Sequence, residues 1–148
     1  MLGHGPAPPP DVFPKSHAAA KRAIQLDSTV ALGWAALSHD HTYFGMDWDM
    51  AEYAFKRAND LNPNLSENHF HRSWYLALFG RMNEAIEEHK RAQELDPFNP
   101  SNSAWLGELY RWIEMYDEVL AEADMADQIE ENFATGKVVK GRIYLDQG

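Results

Sequence analysis

A repeat with a period of about 34 residues is the feature that most constrains how this chain can fold. The central alanines of four similar segments recur at this interval, with one extra position between the first two: Ala23, Ala58, Ala92 and Ala126. A large apolar residue precedes each alanine by ten positions: Phe13, Trp48, Met82 and Tyr116. An aliphatic residue follows each alanine by three positions: Leu26, Leu61, Leu95 and Ile129. Three columns in one register indicate that each unit is a supersecondary element, which buries its apolar face only by stacking on its neighbours.

Within each unit the apolar residues have helical spacing. In the third unit they recur at intervals of three and four: Met82, Ala85, Ile86, His89, Ala92 and Leu95. Pro63 and Pro97 are predicted to stop the second helix of their units. Gly45 and Gly80 are predicted to close the first helix in a left-handed conformation, and the extra residue of the second unit is placed in the turn near Met46. The predicted helices span residues 13–26, 30–44, 48–61, 66–79, 82–95, 101–113, 116–130 and 133–146.

The order of bulky and small residues resembles the tetratricopeptide repeat (TPR) over residues 13 to 148. The resemblance rests on the second unit, with Trp34, Leu37, Ser38, His41, Gly45, Ala51, Phe55, Ala58 and Pro63. It continues in the fourth unit, with Ser103, Leu106, Gly107, Tyr110, Val119, Ala123 and Ala126. It implies an all-α protein, a TPR-like right-handed superhelix of antiparallel helix pairs.

The sequence is then divided into a flexible Pro-rich arm and an array. The arm is 1–12, and the array consists of a half repeat at 13–28, repeats at 29–63, 66–97 and 100–131, and the first helix of a further repeat at 133–148. That last helix lacks a partner helix in the sequence, so we expect a fragment of a longer array that can form a homodimer through it.

The resemblance also implies ligand-facing positions on the first helix of each unit. The candidate partner-binding residues are His39, Tyr43, Phe70, Trp74, Glu108, Arg111, Trp112 and Arg142. Aromatic and arginine side chains are the typical anchors of protein interfaces. The hypothesis is a concave groove for an extended or helical peptide or protein partner. The alternative is that the same rings pack between repeats, because rings at helical spacing are usually core.

Several other functions are disfavoured. The chain has 13 basic and 23 acidic residues, a net charge of −10, which argues against nucleic-acid binding by this fragment. It has no apolar stretch long enough for a membrane span, and no cysteine. The pairs His39/His41 and His69/His71 point apart on a helix, so we expect no metal and no cofactor. No catalytic motif is present, so we expect a protein without enzymatic activity. Residues 1 to 12 lack the basic and apolar regions of a signal peptide, and we expect a cytoplasmic protein.

A narrower resemblance concerns context. The run MDWDMAEYAFKRANDLNPN looks like the TPR region of multidomain bacterial signalling or transcriptional regulators. Together the resemblances imply a protein–protein interaction scaffold, part of a larger bacterial regulatory protein. The alternative is a structural spacer or self-association module with no ligand of its own.

Overall fold

The regular structure of the protein is helical throughout the residues that can be described. The computed structural model describes residues 12–130, 137–138, 141–143 and 145. The helices are α1 (Val12–Leu26), α2 (Ala31–Asp40), α3 (Trp48–Leu61), α4 (Ser66–Leu78), α5 (Met82–Leu95), α6 (Pro100–Trp112) and α7 (Tyr116–Ile129). The Pro-rich arm up to residue 11 and most of the predicted helix 133–146 lie outside the described residues. In the described part of the chain, no helix combines the length and the apolarity that crossing a bilayer would need.

The chain divides into two compact units, Met1–Asn68 and His69–Gly148. In the first unit, α1 packs on α2 and α2 packs on α3. The contact face of α3 is lined by Ala51, Ala54 and Ala58, which are completely buried. Small side chains at these positions let the helix backbones approach closely, while Leu37 and Phe55 fill the remaining space.

In the second unit, α5 packs on α6 and α6 packs on α7. Alanines again line the close contacts and are fully buried: Ala85, Ala92, Ala104, Ala123 and Ala126. Gln93 on α5 ties the helices together through its side-chain nitrogen, which donates to Ser103 Oγ at 2.9 Å and to Glu122 Oε2 at 2.8 Å. The repeated alanine column of the sequence is therefore the packing seam of both units.

Two buried asparagines, at equivalent places in successive repeats, hold the helix that precedes them. Asn102 Nδ2 donates to the carbonyl oxygens of Ala92 at 3.3 Å and Asp96 at 2.9 Å, at the carboxyl end of α5. Asn68 Nδ2 donates to the carbonyl of Phe55 on α3 at 3.3 Å. These bonds join each asparagine to the preceding helix, and the carbonyls of Ala92 and Asp96 also accept hydrogen bonds from backbone N–H groups. The predicted stops before Pro63 and Pro97 are confirmed, since α3 ends at Leu61 and α5 at Leu95.

Three left-handed residues end the first helices at a constant interval. They are Met46 (φ 49°), Gly80 (φ 72°) and Glu114 (φ 61°), each one repeat length after the previous one. The prediction for Gly80 is confirmed. The prediction for Gly45 is wrong, because the chain leaves the helix one residue later, at Met46.

The extra residue of the second repeat lies inside a helix. The last turn of α2 continues as a turn of π-helix, His41–Gly45, before Met46 reverses the chain. Trp34 precedes its left-handed residue by 12 positions, whereas the equivalent His69 and Ser103 precede theirs by 11. A π turn accommodates one inserted residue within a helix. The predicted insertion in the turn after Gly45 is therefore wrong by one helical turn.

Candidate functional site

A cluster of three tryptophans lies on two first helices of the second unit. Trp74 on α4 contacts Trp105 and Trp112, both on α6, edge to face, with ring centroids 5.1 Å and 5.3 Å apart and interplanar angles of 89° and 84°. Trp105 and Trp112 are seven positions apart, which puts them on one face of α6. All three rings are half-buried. We call Trp74, Trp105 and Trp112 the tryptophan cluster.

Edge-to-face contacts fix the rings in place before any ligand arrives. Such pairs add stability beyond the area they bury, because the positive edge of one ring meets the negative face of the other. Each ring nevertheless keeps part of its surface accessible. Trp74 and Trp112 were predicted site residues, whereas sequence reasoning missed Trp105. The seven-residue interval from Trp105 to Trp112 was the signal that could have found it.

An ion-pair network stands on the same helix, α6. Glu108 is only 2% exposed, and its Oε2 accepts a hydrogen bond from Arg111 Nε at 3.0 Å. Its Oε1 accepts a second hydrogen bond from Arg142 Nη1. Three of the predicted site residues therefore meet, but the carboxylate is buried beneath the two guanidinium groups and offers little surface to a partner. With all three side chains ionised, the network carries one net positive charge.

A shallow hollow lies next to this network. It is open to solvent, has a volume of about 440 Å³ and is lined by Arg111, Trp112, Glu114 and Tyr116. It combines an aromatic wall with an arginine, which suits an apolar side chain that carries a hydrogen-bonding group.

Phe70 occupies a different environment from the tryptophan cluster. Its ring lies 5.0 Å from that of His89 on α5 and 5.3 Å from that of His71. His89 is completely buried, so Phe70 covers a part of the core between α4 and α5.

The remaining two predicted site residues lie in the first unit. The rings of His39 and Tyr43 are 4.7 Å apart, and the ring of Phe44 is 6.0 Å from that of His39. Burial lowers the pKa of the His39 imidazole, and the neighbouring Asp40 carboxylate offsets part of that effect. The imidazole ring of His39 therefore packs against the rings of Tyr43 and Phe44.

Other residues on the same helices as the candidate residues are core positions in the structure. They are nearly or fully buried: Ala35, Thr42, Ala77 and Ala104. The histidines of each H-x-H pair face different neighbours, since His41 contacts His17 while His39 contacts Tyr43. Among the described residues, no group of three histidine or carboxylate side chains is arranged to hold a metal ion.

Comparison with known proteins identifies the fold. No family model matches the sequence, and no curated protein matches it. A thermophilic TPR protein of Thermus thermophilus is similar in structure, with a TM-score of 0.80 and 21% identity, over 91% of this chain and 74% of the other. MamA has a TM-score of 0.73 and 18% identity, over 92% of this chain and 79% of MamA. The Arabidopsis OM64 TPR domain has a TM-score of 0.65 and 18% identity, over 88% of this chain and 98% of that domain.

These likenesses establish the fold class. The protein is all-α and has the fold of TPR proteins, the α-α superhelix. The sequence identities are low, so the similarity concerns the backbone fold. The binding properties of the surface have to be inferred from the residues of this chain.

Proposed function

We propose that this protein is an interaction scaffold that binds a peptide or protein partner at the tryptophan cluster. The observation that carries the proposal is the position of Trp74, held edge to face between Trp105 and Trp112 while all three rings stay partly accessible. Tryptophan and arginine are the residue types that contribute most to protein interfaces. Because the rings are already fixed, a partner loses less free energy in ordering them.

The ion-pair network of Glu108, Arg111 and Arg142 provides hydrogen-bond donors beside the tryptophan cluster. Arg111 and Arg142 are held by the buried Glu108, so their orientation is set in advance. A guanidinium group has several N–H donors in a planar fork, and a single carboxylate oxygen does not use all of them. Donors in this arrangement suit backbone carbonyls or a carboxylate of the partner. The expected ligand is a segment with an apolar anchor for the rings and an acceptor for the arginines.

The regulatory context is part of the proposal. It is supported by the resemblance of the 46–64 run to repeat regions of bacterial regulators. In that context the scaffold would bring a partner to signalling domains carried by the same polypeptide.

The alternative function is self-association. Leu145 is 82% exposed and Val138 is 49% exposed, both on the helical stretch after α7. A second copy would cover these side chains, and the protein would then serve as a spacer. Sedimentation of wild type against Val138→Ser plus Leu145→Ser tests this directly, and a monomeric wild type at high concentration would remove the alternative.

The binding proposal is tested by removing the rings. We expect the Trp74→Ala plus Trp112→Ala variant to lose partners that the wild type retains from a bacterial lysate, as identified by cross-linking and mass spectrometry. Phe98→Ala is the matched control, because Phe98 is an aromatic residue that is 83% exposed and lies in the loop between α5 and α6. Circular dichroism and the melting temperature show whether each variant is folded. Retention of the same partners by the folded double variant would refute the proposal.

A further inference from the structure

The turn between α2 and α3 has an unusually apolar surface. Five large apolar residues occur within eight positions and are 36% to 68% exposed: Tyr43, Phe44, Met46, Trp48 and Met50. Single exposed apolar residues are common, but several within eight positions of the sequence indicate an interaction site. We call these five residues the 43–50 surface.

The backbone of this turn is held in costly conformations. It contains the π turn His41–Gly45 and then Met46 in the left-handed region, with φ 49° and ψ 30°. The equivalent position of the next repeat is Gly80, which takes the same region without a side-chain penalty. Met46 is the most exposed member of the surface, at 68%. The same left-handed conformation ends the equivalent helices at Gly80 and Glu114, and at Met46 it leaves a large apolar side chain exposed.

The charged residues next to this surface in the sequence are acidic. Asp47 and Asp49 alternate with the exposed apolar residues, and Glu52 follows on α3. No lysine or arginine occurs in the sequence between Arg22 and Lys56. A partner that covers this turn must therefore bring basic groups, since acidic ones would face like charges.

The methionines indicate how such a partner would be held. Met46 and Met50 are unbranched and polarizable, and surfaces of this kind adapt to the apolar face of an amphipathic helix. Trp48 and Tyr43 add flat aromatic area beside them. Acidic groups around an adaptable apolar centre match a helix with one apolar face and lysine or arginine at its edges.

We propose that the 43–50 surface is a docking site for a basic amphipathic helix of another protein. This site is separate from the tryptophan cluster and does not depend on the proposed function. The aspartates would contact the basic edges of the helix, and Met46 and Trp48 would contact its apolar face.

The test uses a labelled helical peptide of leucine and lysine, about 15 residues long, as the probe, with a leucine–glutamate peptide of the same pattern as its counterpart. Fluorescence anisotropy with the full chain should show binding of the basic peptide only, weakening as salt rises from about 50 to about 300 mM. We expect Met46→Gly to weaken binding about fivefold. The melting temperature of this variant should not fall, because glycine relieves the left-handed strain.

Two matched variants separate the surface from general effects. Phe98→Ala removes an apolar side chain that is 83% exposed in the loop between α5 and α6, without a change in charge, and should leave the affinity unchanged. Asp49→Lys should weaken binding of the basic peptide more than Asp124→Lys, which makes the same change in net charge on an exposed position of α7.

The results that overturn the proposal are equally specific. Unchanged affinity in both Met46→Gly and Asp49→Lys would show that the peptide binds elsewhere. Loss of binding in Trp74→Ala plus Trp112→Ala, with the turn variants unaffected, would assign the peptide to the tryptophan cluster. Binding of zwitterionic vesicles without binding of the peptide would identify the 43–50 surface as a lipid contact.

Discussion

Acid should destabilise this protein through one buried histidine. His89 is completely buried, and burial lowers the pKa of its imidazole to about 4. Its Nε2 lies 3.0 Å from the carbonyl oxygen of Asn102, and its Nδ1 lies 2.7 Å from Ser73 Oγ. The Nε2–H of the neutral ring donates to this carbonyl, and Nδ1 lies beside the Ser73 hydroxyl, which also donates to the carbonyl oxygen of Phe70 at 2.7 Å.

The sign of the effect follows from the two pKa values. An unfolded histidine has a pKa near 6.5, so the unfolded chain binds a proton before the folded one does. The stabilising contribution is therefore fully present above about pH 6.5 and is lost as the pH falls toward about 4. Linkage arithmetic gives a loss of about 2 kcal/mol between pH 7 and pH 5, and of about 3 kcal/mol in total below pH 4.

Urea unfolding at pH 7 and pH 5 measures this loss. With a denaturant dependence of about 2 kcal/mol per molar, His89 alone should move the midpoint by about 1 M. The His89→Gln variant keeps a neutral side chain at both pH values, so its pH-dependent loss should be smaller than that of wild type by about 2 kcal/mol. His71→Gln, outside the Ser73–His89–Asn102 chain, controls for replacing a histidine as such. Equal pH-dependent losses in wild type and His89→Gln would refute the reasoning.

Two further substitutions test the fold itself. Gly80→Ala should lower the free energy of unfolding by about 1 kcal/mol, because alanine is strained at φ 72° while its Cβ would meet no atom within 4 Å. Urea unfolding measures this loss, and an unchanged midpoint would contradict the left-handed turn. Asn102→Ala should cost about 2 kcal/mol, because the buried Asn102 side chain loses two hydrogen bonds to the carboxyl end of α5. Hydrogen exchange should then quicken at the carboxyl end of α5, and unaltered protection there would count against the role given to Asn102.

The repeat columns predict the helices because each column has one physical cause. The alanines are small since two helix backbones meet there, and the prolines follow helix ends since they cannot continue a helix. The inserted residue of the second repeat was misplaced for an equally physical reason. An extra residue can be taken up in a turn or inside a helix, and Gly45 favoured the turn, whereas the π turn His41–Gly45 took it up.

The candidate site was harder to predict than the fold. The sequence indicated Trp74 and Trp112 but not Trp105, because the ring that completes the cluster lies outside the positions that the resemblance implies. Glu108 and Arg111 had the three-residue spacing of a helical ion pair, yet both were predicted to face a partner. Which side chains satisfy each other depends on three-dimensional packing, which periodicity does not specify.

The Glu108–Arg142 contact shows how the repeat register controls this surface. The two residues are one repeat length apart, so they occupy the same place in successive repeats. Stacking of successive units brings equivalent positions together, so a charge in one repeat meets the side chain that the next repeat carries at that place. Trp74 occupies the same place one repeat earlier and pairs with the rings of α6 instead. A substitution at one of these positions therefore alters side-chain contacts in two repeats. Replacing Arg142 would leave the buried Glu108 with Arg111 as its remaining described ion-pair partner.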